Sequence, residues 1–479
     1  MSDPLALLPL AAAAGGGSIN EIPATRLVAA GLTLLQRCAP LVRALDGRRS
    51  AILLPAGPAF LTALAASDGR GAVLINPLAA PAEIAMQLAD ANVGAVFTVA
   101  PLAARLPAGV PRVLLDDAPR AARYAAGGDS REVDLGSHHG LALEGAPGAE
   151  GRDEEAAIVY TSAMAGRPLG AILTHRNLLA NAWSTVKAVQ QSADHHVLAL
   201  LPFAHLFGLT VTGIAPLLAG ARVTTMDRFN PARAAELLAA GGVTEVVGVP
   251  AIFAVLLAAV ERRRAGVGAL RVCICGGAPL APELQERWFD VTGVELRQGY
   301  GLTEAAPVCL FNRPDRPNAR GTMGTAFPDV EVTVRAPSAG GGGATPELPR
   351  GESGEICVRG ANVFRGYVSG GEAGLAVRGG WLYTGDRGAM AADGTVAFRG
   401  VLKAMFTRNG FNIYPEEIRR AVGELAGVRE VVVRAVPEPT REHDIALDVR
   451  GTVTADDVRA WCESRLSGYK QPVAVVVDA

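Results

Sequence analysis

Short apolar runs alternate with longer segments in which apolar residues recur every three or four positions, from about residue 51 onward. The first runs are AILLPA, GAVLINP and GAVFTVA, and the segments GPAFLTALAAS and AEIAMQLADAN lie between them. Apolar runs bounded by Gly and Pro predict buried strands, and the periodic segments predict helices, one of them over residues 81–92. Strands that alternate with helices predict βαβ units and a parallel sheet.

The pattern changes twice later in the chain. A second α/β half is predicted from about residue 195 to 307. After residue 321, short strands such as VEVTVR and GEICVRG, separated by Gly- and Pro-rich turns, predict a small β-barrel-like subdomain. From about residue 400, two helices and three strands predict a compact α+β unit. We therefore predict an α/β fold, with a large N-terminal domain over residues 1–399 and a small, mobile C-terminal domain over residues 400–479.

Composition narrows the class of protein. The 479 residues carry a net charge of only −2, which does not indicate a nucleic-acid or membrane-surface partner. Cys273 and Cys275 are separated by one residue, a spacing that suits neither a zinc knuckle nor a redox pair, and we expect them in the core. The apolar segment over residues 200–220 contains His, Pro and Gly and is predicted to be core, not a membrane span. The AAAAGGG run over residues 11–17 is predicted to be a flexible surface piece. Without a basic secretory start, a cytoplasmic protein is expected.

Candidate chemistry is concentrated in residues 158–177, which read IVYTSAMAGRPLGAILTHRN. An apolar strand ends at Tyr160 and is followed by Thr161, Ser162 and a loop of small residues. A second strand then leads to Thr174, which can cap a helix. Small residues allow backbone N–H groups to approach phosphate oxygens, and hydroxyls add donors. The segment therefore predicts a phosphate loop, although it is not the Walker pattern of Gly-Lys-Ser/Thr before a helix.

This segment resembles the phosphate loop of the adenylate-forming superfamily of acyl-CoA synthetases, luciferases and peptide-synthetase adenylation domains. That loop reads roughly YTSGTTGxPKGxxxTH, and the matching positions here are Tyr160, Thr161, Ser162, Gly166, Pro168, Gly170, Thr174 and His175. Four positions depart from it. Ala163 replaces a Gly, Met164 and Ala165 replace hydroxyl residues, and Leu169 replaces the Lys. The resemblance implies that Thr161, Ser162 and Gly166 bind nucleotide, with much of the phosphate chemistry missing.

A second matching motif is QGYGLTE at residues 298–304. An aromatic ring can stack on a purine, a hydroxyl can bind a phosphate and a carboxylate can hold Mg²⁺. Alone, the motif would indicate no more than a turn after a strand, but its order along the chain favours a functional role. The resemblance implies catalytic Thr303 and Glu304, with Glu304 as the metal ligand, and nucleotide-binding Gln298, Gly299, Tyr300 and Gly301.

Three further motifs extend the resemblance over nearly the whole chain. In GGAPL, Gly277, Ala278 and Pro279 are expected along the adenine and acyl pocket. In WLYTGDR, Asp386 is expected to accept hydrogen bonds from ribose, a task that suits an acceptor-only carboxylate, although an Asp after Gly is also a common turn residue. In LPFAHLFG, the acyl-pocket candidates are Phe203, His205 and Gly208. A lone His in an apolar run is more often a packed core residue, but the order of the motifs raises His205 as a pocket candidate. We assign it no acid–base role.

The C-terminal part matches less completely. Gly410 and Asn412 match the loop that the smaller domain turns toward the active site for thioester formation. In the stretch GVLKAMF, however, Val401 stands where the superfamily has a ribose-binding Arg, and Ala404 stands at the hinge position, with Lys403 nearby. The chain ends about where the segment with the adenylation Lys would begin, and Lys470 belongs to the stretch before it. Each placed donor contributes about 10²–10³-fold in rate, so we expect adenylation to be weakened by at least ~10³.

The resemblance implies an acid–thiol ligase that uses ATP and Mg²⁺. Such an enzyme converts a carboxylic acid, here a fatty or aryl acid, to acyl-AMP and passes the acyl group to CoA or to the phosphopantetheine thiol of an acyl carrier protein. Two alternatives stay open because of the departures. The first is a non-adenylating protein that binds acyl-AMP, AMP or an acyl carrier. The second is a transferase that performs only the thioester half.

Overall fold

The fold was analysed on a computed structural model. It describes residues 7–67, 69–116, 118, 120–136, 151–161, 168–226, 228–263, 266–337, 343–369, 377–402 and 406–478, and at residue 412 the backbone alone. Ser162, Gly166, Lys403 and Ala404, which were singled out from the sequence, lie outside these residues. In the described part, no helix combines the length and the apolar character that a membrane crossing requires.

The first α/β half contains a sheet of nine strands within the described residues. Its central strands are parallel and buried, as their apolar runs predict. The order across the sheet is Gly366–Tyr367, Leu169–Thr174, Glu155–Thr161, Ala72–Leu74, Arg49–Leu53, Val93–Thr98, Arg112–Leu115, Ala121–Ala126 and Asp129–Asp134. The helices of this half are Pro58–Ala66, Pro81–Asp90 and Ala100–Ala103.

The second half also contains nine strands in the part of the chain that is described. Their order is Thr325–Ala326, Val308–Phe311, Leu296–Gly301, Val272–Cys275, Glu245–Gly248, His196–Ala199, Arg222–Thr225, Ser18–Ile19 and Ile22–Pro23. The other helices of the N-terminal part are Leu8–Ala14, Ala24–Arg37, Ala39–Ala44, His175–Val189, Ala215–Leu218, Pro231–Ala239, Pro250–Arg263 and Pro282–Thr292, with a π-helical segment Phe207–Ile214 and a 3₁₀ turn Thr303–Ala305.

Two local predictions from the sequence are confirmed. Thr174 caps helix His175–Val189, since its Oγ1 accepts the N–H of Asn177 at 3.2 Å and its own N–H donates to Asn177 Oδ1 at 2.9 Å. The helix predicted over residues 81–92 is observed as Pro81–Asp90, with Ile84 and Leu88 buried on its inner face. Its first turn is closed by Glu83, whose Oε2 accepts the N–H of Ala80 at 3.0 Å.

The prediction of a flexible surface piece at residues 11–17 is wrong. Ala11 to Ala13 belong to helix Leu8–Ala14 and are fully buried. Gly15 lies so close to helix Ala215–Leu218 that a Cβ at this position would meet the carbonyl oxygen of Leu217 at 2.1 Å. The small side chains therefore permit close packing against helix Ala215–Leu218, and the low complexity of the run reflects that approach. The expectation that Cys273 and Cys275 are core residues is confirmed by their burial.

The remaining chain forms the predicted β-rich and α+β parts. In the described residues, an antiparallel sheet contains Val330–Arg335, Ser353–Gly360, Val377–Arg378, Trp381–Met390 and Val396–Val401. The C-terminal part contains Phe406–Arg408, Phe411–Ile413, helix Pro415–Gly423, Val428–Glu438, Glu442–Gly451, helix Ala455–Arg465 and Ala474–Asp478. It has its own core around Ile418, Leu447 and Val458. A large N-terminal α/β part and a small C-terminal α+β part are thus confirmed.

Candidate active site

A cavity of about 300 Å³ lies where the two α/β halves, the β-rich sheet and the C-terminal part meet. Strands Val272–Cys275 and Leu296–Gly301 are parallel neighbours, and both end at this cavity. The carboxyl ends of parallel strands are where open α/β sheets bind ligands. The site residues predicted from the sequence that line the cavity are Thr161, His205, Gly277, Ala278, Pro279, Gln298, Gly299, Tyr300, Gly301, Thr303, Glu304, Asp386 and Gly410.

Tyr300 and Asp386 form what we call the nucleoside wall. The Tyr300 hydroxyl donates to Asp386 Oδ2 at 2.7 Å, which joins the second sheet to the β-rich sheet. Burial raises the pKa of Tyr300, so the phenol remains a hydrogen-bond donor. Strand pairing places Val401 directly opposite Asp386. The position at which the superfamily has an Arg is therefore next to the predicted ribose carboxylate, and here it is apolar.

Thr161, Leu169 and Glu304 form what we call the phosphate wall. Thr161 and Leu169 face each other across the antiparallel pair Glu155–Thr161 and Leu169–Thr174, and both line the cavity. Leu169 is buried, and the strand that it begins lies near the Thr303–Ala305 turn. The residue that replaces the superfamily Lys therefore contributes an apolar surface to the cavity.

Glu304 is the residue of this site that fits a divalent cation. It is buried, and its Oε1 accepts the hydroxyl of Tyr367 at 2.8 Å. Within the described residues there is no group of three or more His, Cys, Asp or Glu side chains that could hold a metal. Mg²⁺ commonly binds through one or two carboxylates together with substrate phosphates. A single buried carboxylate on the phosphate wall fits that mode and does not fit an all-protein metal cage.

His205 is one of the residues that line the cavity. Its ring is exposed to the cavity, and its Nδ1 accepts the N–H of Phe207 at 3.2 Å. Burial within the surrounding protein lowers its pKa, so the imidazole is neutral at pH 7 and carries its proton on Nε2. The neutral ring can therefore donate one hydrogen bond into the cavity.

The other two acyl-pocket candidates do not line the cavity. Phe203 is fully buried, and its ring packs edge-on against Phe60 with centroids 5.6 Å apart. Gly208 packs against the backbone of Pro202, with a would-be Cβ 2.3 Å from the carbonyl oxygen. Neither residue is thus part of the described cavity wall, and their assignment to the acyl pocket stays a prediction. The π-helical geometry of Phe207–Ile214 directs other residues to the wall.

Two pairs of apolar or weakly polar residues that the sequence reasoning missed also line the cavity. They come from the π-helical segment and from helix His175–Val189, and they are Phe207, Val211, Thr185 and Val189. Their spacing of four residues in each pair is the signal that could have found them. Such spacing marks a helix face, but it does not distinguish a face against the core from a face against a cavity.

The C-terminal part reaches the cavity through the loop around Gly410. Gly410 has a φ of 75°, and a Cβ there would lie 2.7 Å from Val249 Cγ1, so only glycine permits this approach. Its N–H donates to Glu442 Oε2 at 3.2 Å. Phe411 and Tyr414 also line the cavity. The backbone of Asn412 pairs with Thr407, whereas its side chain lies outside the described residues.

Lys470 is the only cation among the described residues that line the cavity. Its Nζ donates to Glu417 Oε1 at 2.6 Å and to Glu83 Oε1 at 2.9 Å. Burial alone would lower the pKa of Lys470, but the neighbouring Tyr469 and the two carboxylates outweigh burial and raise it above its usual range. Burial also raises the pKa of Glu417. Lys470 is thus charged, and its donors are directed to two carboxylates.

Comparisons with known proteins agree with this geometry. A family model described as AMP-binding enzyme matches residues 38–368. A feruloyl-CoA synthase from Amycolatopsis sp is 32% identical over 444 residues, which cover 90% of this chain and 84% of that protein. A long-chain-fatty-acid–CoA ligase from Bacillus subtilis is 32% identical over 330 residues, which cover 67% of this chain and 57% of that protein. Among solved structures, a malonyl-CoA ligase with methylmalonyl-CoA and AMP bound superposes with a TM-score of 0.74 at 26% identity, covering 99% of this chain and 98% of that one.

Proposed function

The chain belongs to the AMP-binding enzyme family, and from this membership we propose that it is an ATP-dependent acid–thiol ligase. It activates an aryl or fatty carboxylic acid as the acyl-AMP and transfers the acyl group to the thiol of CoA. The observation that carries the proposal is the single cavity that combines the nucleoside wall, Glu304, an apolar end and the Gly410 loop. The feruloyl-CoA synthase and long-chain-fatty-acid–CoA ligase relatives support the aryl and fatty classes of acid.

In the first half-reaction, an oxygen of the substrate carboxylate attacks the α-phosphorus of ATP, and pyrophosphate leaves. Asp386 accepts hydrogen bonds from the ribose hydroxyls while Tyr300 fixes the orientation of its carboxylate. Gln298 to Gly301 and Gly277 to Pro279 form the surface against the base, and Thr303 provides a hydroxyl for the phosphates. Holding both reactants in line supplies most of the acceleration in such reactions.

Glu304 would hold Mg²⁺ together with the phosphates of ATP. When bound, the ion neutralises charge on the phosphate oxygens. Tyr367 restricts Glu304 to one orientation through its hydrogen bond to Oε1, so the carboxylate is fixed before substrate arrives.

In the second half-reaction, the thiol sulfur attacks the acyl carbonyl carbon and AMP leaves. The Gly410 loop and Tyr414 line the cavity, and we assign them to the path of the thiol. His205 can donate from Nε2 to the acyl carbonyl oxygen. CoA and a carrier-protein phosphopantetheine present the same thiol, and the carrier protein is the second candidate acceptor.

A slower first half-reaction is part of the proposal. Leu169 and Val401 are apolar where the superfamily has cations, and the one cation on the described wall, Lys470, is bonded to two carboxylates. Developing phosphoryl charge therefore meets few donors from the described side chains, and each such donor is worth about 10²–10³-fold. This observation also favours the alternative of a transferase that performs only the thioester half with acyl-AMP supplied to it.

The test combines two assays on the same preparation. ATP–pyrophosphate exchange is measured with panels of hydroxycinnamic and long-chain fatty acids, and thioester formation is measured by chromatography from CoA and synthetic acyl-AMP. Slow exchange together with rapid transfer is the expected result. Transfer without any exchange would establish the alternative. Failure of both assays, in a protein that binds AMP, would overturn the ligase and the transferase proposals. The remaining alternative would be a non-adenylating protein that binds AMP or acyl-AMP.

A further inference from the structure

Lys470, Glu83 and Glu417 form a buried ionic group between the two parts of the chain, which we call the Lys470 cluster. Glu83 belongs to helix Pro81–Asp90 of the N-terminal half, whereas Glu417 belongs to helix Pro415–Gly423 and Lys470 follows helix Ala455–Arg465. The side chains of Lys470, Glu417 and Glu83 are exposed by only 5%, 7% and 10%. The Ser467 hydroxyl also donates to Glu83. A charge that is this buried is rarely retained without a partner, and here its partners come from both parts.

The segment that contains Lys470 is bonded directly to the Gly410 loop. The ring of Tyr469 stacks on Phe411 with centroids 4.3 Å apart and planes 18° apart. The guanidinium of Arg408 donates to the carbonyl of Gln471 at 2.6 Å and to that of Tyr469 at 3.2 Å. Movement of residues 469–471 therefore changes the position of the hairpin whose turn contains Gly410.

The cluster contains two carboxylates and one ammonium group. The contact between the N-terminal and C-terminal parts therefore depends on the ammonium group. If Lys470 is neutralised, Glu83 and Glu417 are left as two like charges close together, and like charges repel. The two helices that carry the carboxylates belong to different parts of the chain. Loss of the ammonium would then convert an attraction between the two parts into a repulsion.

We propose that Lys470 is a positioning residue for acyl transfer, which holds the C-terminal part on Glu83 so that the Gly410 loop lines the cavity. This inference rests on the proposed function, because acyl transfer is the step that uses that loop. The residues of the nucleoside wall, Tyr300 and Asp386, belong to strands of the N-terminal part and are bonded to each other. Transfer therefore depends on the cluster much more strongly than acyl-AMP formation does.

The test is the ratio of the two half-reactions in Lys470→Met. Misplacement of reacting groups by about 1 Å can cost up to 10²-fold, so we expect transfer from synthetic acyl-AMP to CoA to fall by about 10- to 10²-fold while pyrophosphate exchange changes far less. Lys470→Arg, which retains the charge, should recover most of the transfer rate. Lys187→Met is the matched control, since Lys187 pairs with Asp329 on the exposed surface and should leave both rates unchanged.

A second measurement reports the orientation of the C-terminal part relative to the N-terminal part and does not depend on enzymatic activity. All six native cysteines are buried, so spin labels can be attached selectively at exposed positions in Glu286→Cys and Glu463→Cys on the two parts. We expect one narrow distance distribution with Lys470 and a broadened or second distribution in Lys470→Met. If that variant does not fold, Glu83→Gln, which removes one carboxylate, gives the same comparison.

An unchanged ratio of half-reactions with an unchanged distance distribution would overturn the inference. Absence of transfer in the unmodified protein would instead overturn the proposed function, and the labels would still decide the role of the cluster.

Discussion

The nucleoside wall and the phosphate wall differ in how much of their chemistry the described side chains supply. On the nucleoside wall, the Tyr300 hydroxyl donates to Asp386 Oδ2 at 2.7 Å, and both residues belong to β-strands. On the phosphate wall, Thr161 lies opposite the buried Leu169, and Glu304 supplies a carboxylate but no positive charge. We propose that the first wall recognises ribose, whereas the described residues of the second wall carry no cation that could face the phosphoryl groups.

This difference separates binding from catalysis. Recognition of a neutral ribose requires acceptors and donors at fixed positions, which the nucleoside wall supplies. Acceleration of phosphoryl chemistry requires positive charge that is already in place when negative charge develops. A protein with the first and little of the second should bind nucleotide well and adenylate slowly.

The largest effect is expected for Asp386→Ala. The change removes the carboxylate that we propose as the acceptor of ribose, and it leaves the buried Tyr300 hydroxyl without this partner. Hydrogen bonds to charged groups contribute about 1.5–3 kcal/mol each, so the loss of two should weaken AMP binding by roughly 10²–10⁴-fold. Calorimetric titration with AMP measures it. Asp386→Asn, which retains an acceptor, should lose less, and equal losses in both variants would show that ribose binds elsewhere.

A gain of about 10²-fold in pyrophosphate exchange is expected for Leu169→Lys. Leu169 lines the cavity, and a longer side chain can keep its stem on the apolar wall while its ammonium reaches the opening. Leu169→Met is the control because it changes the shape without adding charge. If both variants exchange at the same rate, then the missing cation on the phosphate wall does not limit the rate of adenylation. The proposed contrast between the two walls would then be wrong.

Much of this fold could be predicted from the sequence because strand and helix patterns are local. The cap at Thr174 and the helix near residues 81–92 depend on residues three or four positions apart, and both were found. Membership of the adenylate-forming superfamily, predicted from motifs in order, is confirmed by the family match over residues 38–368. The domain boundary near residue 399 and the roles of the individual site residues stay predictions.

The features that were missed depend on packing between distant elements. Phe203 and Phe207 are equally apolar in LPFAHLFG, and only the π-helical turn decides which ring meets Phe60 and which meets the cavity. Glu83 and Lys470 are 387 residues apart, so no local pattern could join them. Burial of the Ala-rich run at residues 11–17 depends on a neighbouring helix in the same way. In each case the sequence specifies the residue type, whereas tertiary contacts decide its surroundings.

About a tenfold loss of AMP affinity is expected for Tyr300→Phe. The substitution keeps the ring, which we propose faces the base, and removes only the donor to Asp386. The carboxylate then keeps its charge but loses one constraint on its orientation. Because the carboxylate remains, the loss should be far smaller than in Asp386→Ala. Titration with AMP and with adenine separates the contributions, since adenine lacks the ribose. An equal loss for both ligands would show that Tyr300 acts through its ring and not through Asp386.

The smallest effect is expected for Tyr367→Phe, which probes the phosphate wall from the metal side. Its hydroxyl donates to Glu304 Oε1 at 2.8 Å, and its ring packs edge-on against Phe364 at 4.8 Å, so the phenylalanine should keep the packing. Because Glu304 then loses one orienting partner, the affinity for Mg²⁺ should fall by a few-fold, which corresponds to about 1 kcal/mol or less. The Mg²⁺ concentration that gives half-maximal pyrophosphate exchange measures this shift, and Glu304→Gln gives its upper limit. A shift in Glu304→Gln alone would mean that Tyr367 serves packing. No shift in either variant would place the Mg²⁺ entirely on the phosphates, and the phosphate wall would then contribute neither a cation nor a metal ligand.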